Sequence, residues 1–464
     1  MKGKKILSLL LVCAVVLSFA ACSQGPAGNG QSAQSGDTAS SAVQQTPASQ
    51  EAGAVKTVEL FTNCPDRSIK EGRVEDKCIA EYEKENPNVK IKLEVLEDEP
   101  YKQKFKAYAA SNDLPDLMMV WAFTSFLAPL VKNGYIATLN PDDYKDYNFL
   151  NSSWDNFTFD GKLYGLPRSA EIHVVYYNKK IFADNGLQIP KTFDELVEIT
   201  KALRAKGIQP CAVNGKDKWE IDVLMDNMFA QMITDKNQTP DVVARKTKFA
   251  DHPEYLKAAQ EFKRLMDAGF YQDSFASADY GTARNLFAQG QTAMYYMGSW
   301  EMGMQTDASL SKEFIDNVDC FPFPPYANGP KQITDLDGVC AAGYAVAKNG
   351  NSAEAVKFLN YMMKPDKFTK YGWQESGILS AQDVTPFKTG KETPLQLAVL
   401  NLFSGATSLS GPPYNQMSAS SLTTDAHDLV QTLAAGMISP EDFIKQLDDK
   451  ADHANELLLS GAAQ

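Results

Sequence analysis

None of the residue groupings that usually perform covalent chemistry stands out in this chain. There is no GxSxG, no HExxH, no P-loop and no GxGxxG after a strand, so the common hydrolase, zinc-protease and nucleotide motifs are missing. The four histidines, His173, His252, His427 and His453, are scattered, and no cysteine stands in a CxxC or Cys/His metal spacing. With 58 acidic residues, a carboxylate pair for glycoside cleavage cannot be singled out by position. What the chain does offer is flat surface and planar hydrogen-bonding groups. Trp300 and Trp373 stand in turns among Gly and Ser, Trp121 ends an apolar run, and Trp219 sits in the polar stretch Lys216–Glu220, whereas Trp154 reads as packing. Asn63 and Asp66 follow the first strand, Arg168 and Glu171 flank another, and Asp335 and Asp337 lie in Thr334-Asp-Leu-Asp-Gly338. Aromatic faces beside such groups suit ligand rings that have apolar faces and hydroxyl rims. Arg168 would offer a fork of donors to paired hydroxyls or a carboxylate, or else form a surface ion pair with Glu171. The Asp-x-Asp-Gly run touches on calcium chemistry but lacks the remaining loop ligands, so no metal and no cofactor is expected.

The elements that must position these residues follow an α/β pattern. Lys56 to Asn63 alternates like a strand, Asp76 to Asn86 reads as an amphipathic helix stopped by Pro87, and Val89 to Leu96 alternates again. A helix over Tyr101–Asn112 and an apolar strand over Leu114–Trp121 continue the series. Val174–Tyr177 is β-branched and aromatic, and the chain turns out of it into a short helix ending at Asp184. Thr192 and Glu195 then form a capping-box pattern for a helix that Gly207 stops. Further helices are expected at Glu254–Ala268, Gly281–Ala288, Ser352–Met363, Leu395–Phe403, Ser421–Ala435 and Pro440–Leu459. Two β/α stretches separated by long helical ones indicate two lobes.

The first residues carry a different signal. Lys2, Lys4 and Lys5 precede an apolar run, Ile6 to Phe19, and then Ala20, Ala21 and Cys22. That order of charge, apolar run and small residues is an export signal, too short for a membrane span. Phe19-Ala20-Ala21-Cys22 resembles a lipobox with Phe where Leu is usual, which makes Cys22 the lipidation site after removal of residues 1–21. Residues 22–54 are almost entirely Ser, Gln, Gly, Ala, Thr and Pro, a composition expected of a disordered tether. Cys64–Cys78 and Cys320–Cys340 are pairings that export permits, but buried small apolar residues are the favoured reading of these cysteines. The formal charge of −13 argues against nucleic acid as a partner.

Gly165-Leu-Pro-Arg-Ser-Ala-Glu-Ile-His-Val-Val-Tyr-Tyr-Asn-Lys-Lys-Ile-Phe-Ala-Asp184 resembles the signature of the extracellular solute-binding proteins of bacterial ABC importers, family 1. These are of the sugar-binding kind that includes maltose-binding protein. Pro167, Ser169, Val174 to Asn178, Phe182 and Asp184 fit the pattern, and Arg168 stands where an apolar residue is usual. Leu286–Trp300, Gly343–Leu359 and Tyr371–Leu379 are similar to later segments of the same family, in the same order. The resemblance implies a two-lobed α/β periplasmic-binding-protein fold of type II, each lobe a mostly parallel sheet flanked by helices. It places 55–170 with 320–382 in the amino-terminal lobe and 171–319 with 383–464 in the other. Crossings would fall near Arg168–Glu171, Asp319–Pro330 and after Leu379, and Tyr414 would join the late cleft contacts. The function so implied is capture of a mono- or oligosaccharide between closing lobes, by a monomer held to the outer face of the cell membrane by lipid. A membrane permease of the importer would receive the solute, and no enzymatic step would occur. The residues alone also leave open a binder of a peptide, polyamine or sugar phosphate, or a lipid-anchored glycoside hydrolase.

Overall fold

The computed structural model describes residues 55–411 and 420–460, except Thr124 and Lys236. The expected signal, the tether with Cys22, and Tyr414 lie outside the described residues.

The strands are β1 (Lys56–Thr62), β2 (Val89–Val95), β3 (Leu117–Trp121), β4 (Thr158–Phe159), β5 (Lys162–Leu163), β6 (Leu166–Pro167), β7 (Glu171–Asn178), β8 (Gln209–Ala212), β9 (Thr292–Gly298), β10 (Val318–Pro322), β11 (Asp335–Val339), β12 (Ala342–Val346) and β13 (Ser408–Ser410). They build two main sheets. The first has the order β2-β1-β3-β12-β6, with β1, β2 and β3 parallel and β12 antiparallel to β3. Helices Lys70–Glu85 and Ser352–Met362 pack on it, and Leu60, Met118, Tyr344 and Phe358 share its core. The second has the order β13-β11-β7-β9-β8. Its central strand shows why the run at 171–178 is so apolar. Val175 and Tyr177 face one buried cluster, while Ile172, Val174 and Tyr176 face another. A sheet covered on both sides needs apolar residues at every position rather than at alternate ones.

The chain passes between the sheets three times, at adjoining places. The N–H of Arg168 donates to the Ala342 carbonyl and that of Ala170 to Leu379, while Ser169 bridges Ser380. This gives the two-lobed α/β arrangement, and the first and last crossings stand where they were expected. The middle one does not. Both β10 and β11 pair with the same edge of β7, β10 along Val174–Asn178 and β11 at Glu171 and Ile172. Residues 320–339 therefore stay with the second sheet, and the chain reaches the first only through Cys340 and Ala341. The proline-rich loop between β10 and β11 marks the change from one β7 partner to the next, not a change of lobe.

Two helices differ from expectation. The first begins at Lys70, six residues early. The second, Trp219–Met232, falls where only a polar loop was read. It buries Glu220, Asp226, Asn227 and Gln231 along with Leu224, Met228 and Phe229, so it lacks the polar face that makes a helix visible by period. At Thr192 the cap holds: its hydroxyl accepts from the Glu195 N–H at 3.3 Å. The returning bond goes one residue further out, with Glu195 accepting from Lys191 N at 2.5 Å.

The cysteines Cys64, Cys78, Cys211, Cys320 and Cys340 are free thiols, three of them buried. Among the described residues no helix is long and apolar enough to cross a membrane.

Candidate functional site

The carboxyl end of β9 and the amino end of β7 lie side by side, His173 opposite Gly298, and the aromatic wall of the site grows there. Gly298 is required because the Trp300 ring lies over it. A Cβ at that position would meet Cζ3 of the indole at 2.0 Å, so a side chain there would push Trp300 away. The His173 ring stands edge-on to Trp300 at 5.5 Å and 89°. Trp219, at the start of its helix, lies 6.2 Å from Trp300 and stacks on Tyr280 at 6.2 Å and 26°. Aromatic pairs at these separations hold one another in place.

A polar wall belongs to the first sheet. Asn63, just after β1, donates to Asp98 Oδ1 at 2.5 Å and accepts from Arg168 Nη1 at 3.4 Å. The Arg168 guanidinium is buried, at 6 % exposure, and its Nε lies 3.8 Å from Glu71 Oε1. Burial would weaken its charge, but Glu71, Tyr344 and Glu75 hold its pKa above the ordinary arginine value. Arg168 is thus neither on the surface nor paired chiefly with Glu171. Glu171 accepts from the Ser169 hydroxyl at 3.0 Å, and burial pushes its carboxyl up to about 7, against the pull of Arg168. Trp121 ends β3 half-buried, edge-on to Phe126 at 5.5 Å.

The walls meet. Lys70, on the first helix, donates to Glu301 Oε1 at 2.6 Å and to the Tyr280 hydroxyl at 2.9 Å. Tyr280 also donates to Glu301, and Arg284 Nε donates to its other oxygen at 2.9 Å. Glu301 is fully buried, which would raise its pKa, yet Lys70 and Arg284 prevail and hold it below the usual carboxylate value. Beside this junction only about 20 Å³ of cavity remains, lined by Lys70, Arg73, Arg284 and Asp307 among others, space for about one water.

Of the residues expected from the sequence, Asn63, Arg168, Glu171, Trp219 and Trp300 stand in these two groups, and Trp121 lies at the end of β3 against Tyr101 and Phe126. Four other described ones stand in neither group. Trp373 is 1 % exposed, packed in the second sheet's core, with Nε1 donating to Glu392 at 3.3 Å. A turn among Gly and Ser proved to be a buried turn. Asp66 accepts from the Ser68 N–H at 2.9 Å and its hydroxyl at 2.6 Å, a local turn that lowers its pKa. Asp335 fastens the sheet edge, accepting from Ser408 Oγ at 2.6 Å and Thr407 Oγ1 at 3.0 Å. Asp337 is buried behind His173 and accepts from its Nδ1 at 2.7 Å. The sequence reading missed Lys70, Tyr280, Glu301 and His173. Only His173 carried a usable signal: two residues beyond Glu171 on one strand, it must share its face.

A sequence model of the family described as bacterial extracellular solute-binding protein matches residues 68–367. A multiple sugar-binding protein of Streptococcus mutans is 26 % identical over 329 residues, 69 % of this chain and 74 % of that protein. Among solved structures, one from work on xylan utilization by the thermophilic bacterium Caldanaerobius polysaccharolyticus superposes with a TM-score of 0.77 at 28 % identity. It covers 85 % of this chain and 99 % of its own. A chitin oligosaccharide binding protein gives 0.77 at 25 % identity, over 86 % and 99 %. The chain belongs to the bacterial extracellular solute-binding protein family, and its fold is the two-lobed one of that family.

Proposed function

We propose that this protein is the solute-binding component of an ABC importer, taking a neutral oligosaccharide or monosaccharide between its two lobes and passing it to a membrane permease. The observation that carries this reading is the aromatic group Trp219, Trp300 and Tyr280, tied to the first helix through Lys70, together with the polar pair Asn63 and Arg168 on the first sheet's side. A pyranose ring presents both kinds of surface at once. The relatives' names, multiple sugar-binding and chitin oligosaccharide binding, agree with it. The charges favour a neutral sugar over a sugar phosphate, since Arg168 is already surrounded by Glu71, Glu75 and Glu171 and an added anion would meet those carboxylates. Closure is favoured only by as much as the ligand binds the closed form better. On this reading the protein is a monomer, and Cys22 carries the lipid that keeps it at the outer face of the membrane.

The test is a thermal-shift and calorimetric screen against xylo-, chito- and malto-oligosaccharides and raffinose, with peptides and polyamines in parallel. A ligand that binds only the folded protein raises its melting temperature. Saturable binding of one sugar series without product is the expected outcome. A shift with peptides or polyamines alone would overturn the sugar reading, and release of shorter sugars would overturn the binder.

A further inference from the structure

We infer that His173 is a ligand-contacting residue of the cleft, accepting a hydroxyl hydrogen through Nε2, and that Asp337 is the positioning residue that fixes its ring. This rests on the carbohydrate reading above and deepens it by assigning one hydrogen-bond polarity in the site. The imidazole is held from two sides. Nδ1 lies 2.7 Å from Oδ2 of Asp337, whose side chain is 3 % exposed, and the ring meets Trp300 edge-on at 5.5 Å. A carboxylate only accepts, so the proton between them sits on Nδ1. When the ring is neutral, its lone pair is therefore on Nε2. Asp337 is itself held within the second lobe: the Tyr296 hydroxyl donates to the same oxygen at 3.5 Å, and Tyr296 accepts from Asn227 Nδ2 at 2.9 Å.

Asp337 engages Nδ1 and leaves Nε2 as the ring's other nitrogen. It belongs to a side chain 10 % exposed, on the same strand face as Glu171 and against the ring most suited to stack on a sugar. A fixed acceptor beside an aromatic platform reads the direction of one hydroxyl, because a hydroxyl lying on that platform can donate to it while a C–H cannot. Arg168 offers only donors, so His173 and Arg168 select opposite ends of a hydroxyl pattern.

The test uses the full chain with xylotriose and chitotriose as probes, at pH 8, where an ordinary histidine is neutral. His173→Ala is expected to weaken the bound probe roughly five- to tenfold, and His173→Gln, which keeps an acceptor, to recover most of that loss. Nitrogen NMR of histidine-labelled protein should report the proton on Nδ1 and a shift of Nε2 when the probe is added. Asp337→Asn should mix the two tautomers, a change that a purely structural role would not cause. Equal affinity of folded wild type and His173→Ala for the probe overturns the assignment, as does a proton found on Nε2. If wild type binds neither probe nor any sugar of the wider screen, the carbohydrate reading falls, and this assignment falls with it.

Discussion

The two walls of the cleft are built by opposite means. On the first sheet a set of buried charges holds the surface: Glu75, fully buried, accepts from Thr62 Oγ1 at 2.8 Å, the Tyr344 hydroxyl at 2.6 Å and Arg67 Nη1 at 2.6 Å, and Arg168 lies in the same field. On the second sheet, rings hold rings over a glycine and a strand, and buried carboxylates, Glu301 and Asp337, fasten only Tyr280 and His173 among them. The polar wall is strong only as a set, since removing one member leaves the others desolvated and unpaired. The aromatic wall divides its contribution among separable contacts. A mutation should therefore cost stability on one side and affinity on the other.

The largest effect tests the polar wall. Glu75→Leu leaves Thr62 and Tyr344 without this acceptor and Arg67 with Asp76 as its remaining carboxylate, and a loss of about 3 kcal/mol in denaturant unfolding is expected. A loss under about 1 kcal/mol would show the network to be slack. Next comes Trp300→Ala, expected to weaken sugar binding more than about tenfold, or roughly 1.4 kcal/mol, with little change in melting temperature. Unchanged calorimetric affinity in the folded variant would remove that ring from the site.

A subtler contrast concerns pH. The Glu171 carboxyl stands at about 7 in the folded protein, above its ordinary value near 4.3. The folded state thus holds this proton more tightly than the unfolded one. Its share of stability is full below the ordinary value and declines as pH rises toward 7. Glu171→Gln should flatten that part of the stability–pH curve, and an unaltered curve would assign the decline to other groups. The smallest effect on binding belongs to Trp373→Phe, which loses the hydrogen bond to Glu392 and leaves a cavity in the core, costing stability on the order of 1–3 kcal/mol with affinity unchanged. A fall in affinity there would return Trp373 to the cleft.

The strand and helix order was legible because periodicity reports burial, and burial in this fold is regular: β1, β2 and the helix Pro253–Asp267 stand within a few residues of their sequence reading. The first crossing was an implication of the family resemblance around Arg168, and the apolar run there belongs to a strand covered on both faces. The helix Trp219–Met232 was hidden by its buried polar residues. The placement of 320–339 depended on which strand edge was free, and no local pattern reports that. For the candidate site, aromatic type and turn context could not separate Trp300 and Trp219 from the buried Trp373, because a turn can face solvent or core. Lys70 and Glu301 are brought together by the folding of distant segments, 231 residues apart, and single-residue patterns carry no trace of such a pair.

Gly298 has a consequence in time as well as in space. With the strand backbone directly beneath it, the Trp300 ring cannot retreat, so its rotational freedom is surrendered when the chain folds rather than when a solute arrives. On the proposed function, a platform set in advance would give different sugars much the same rate of entry. They should then differ mainly in how long they stay, and residence time would decide which solute is still held when a permease is met.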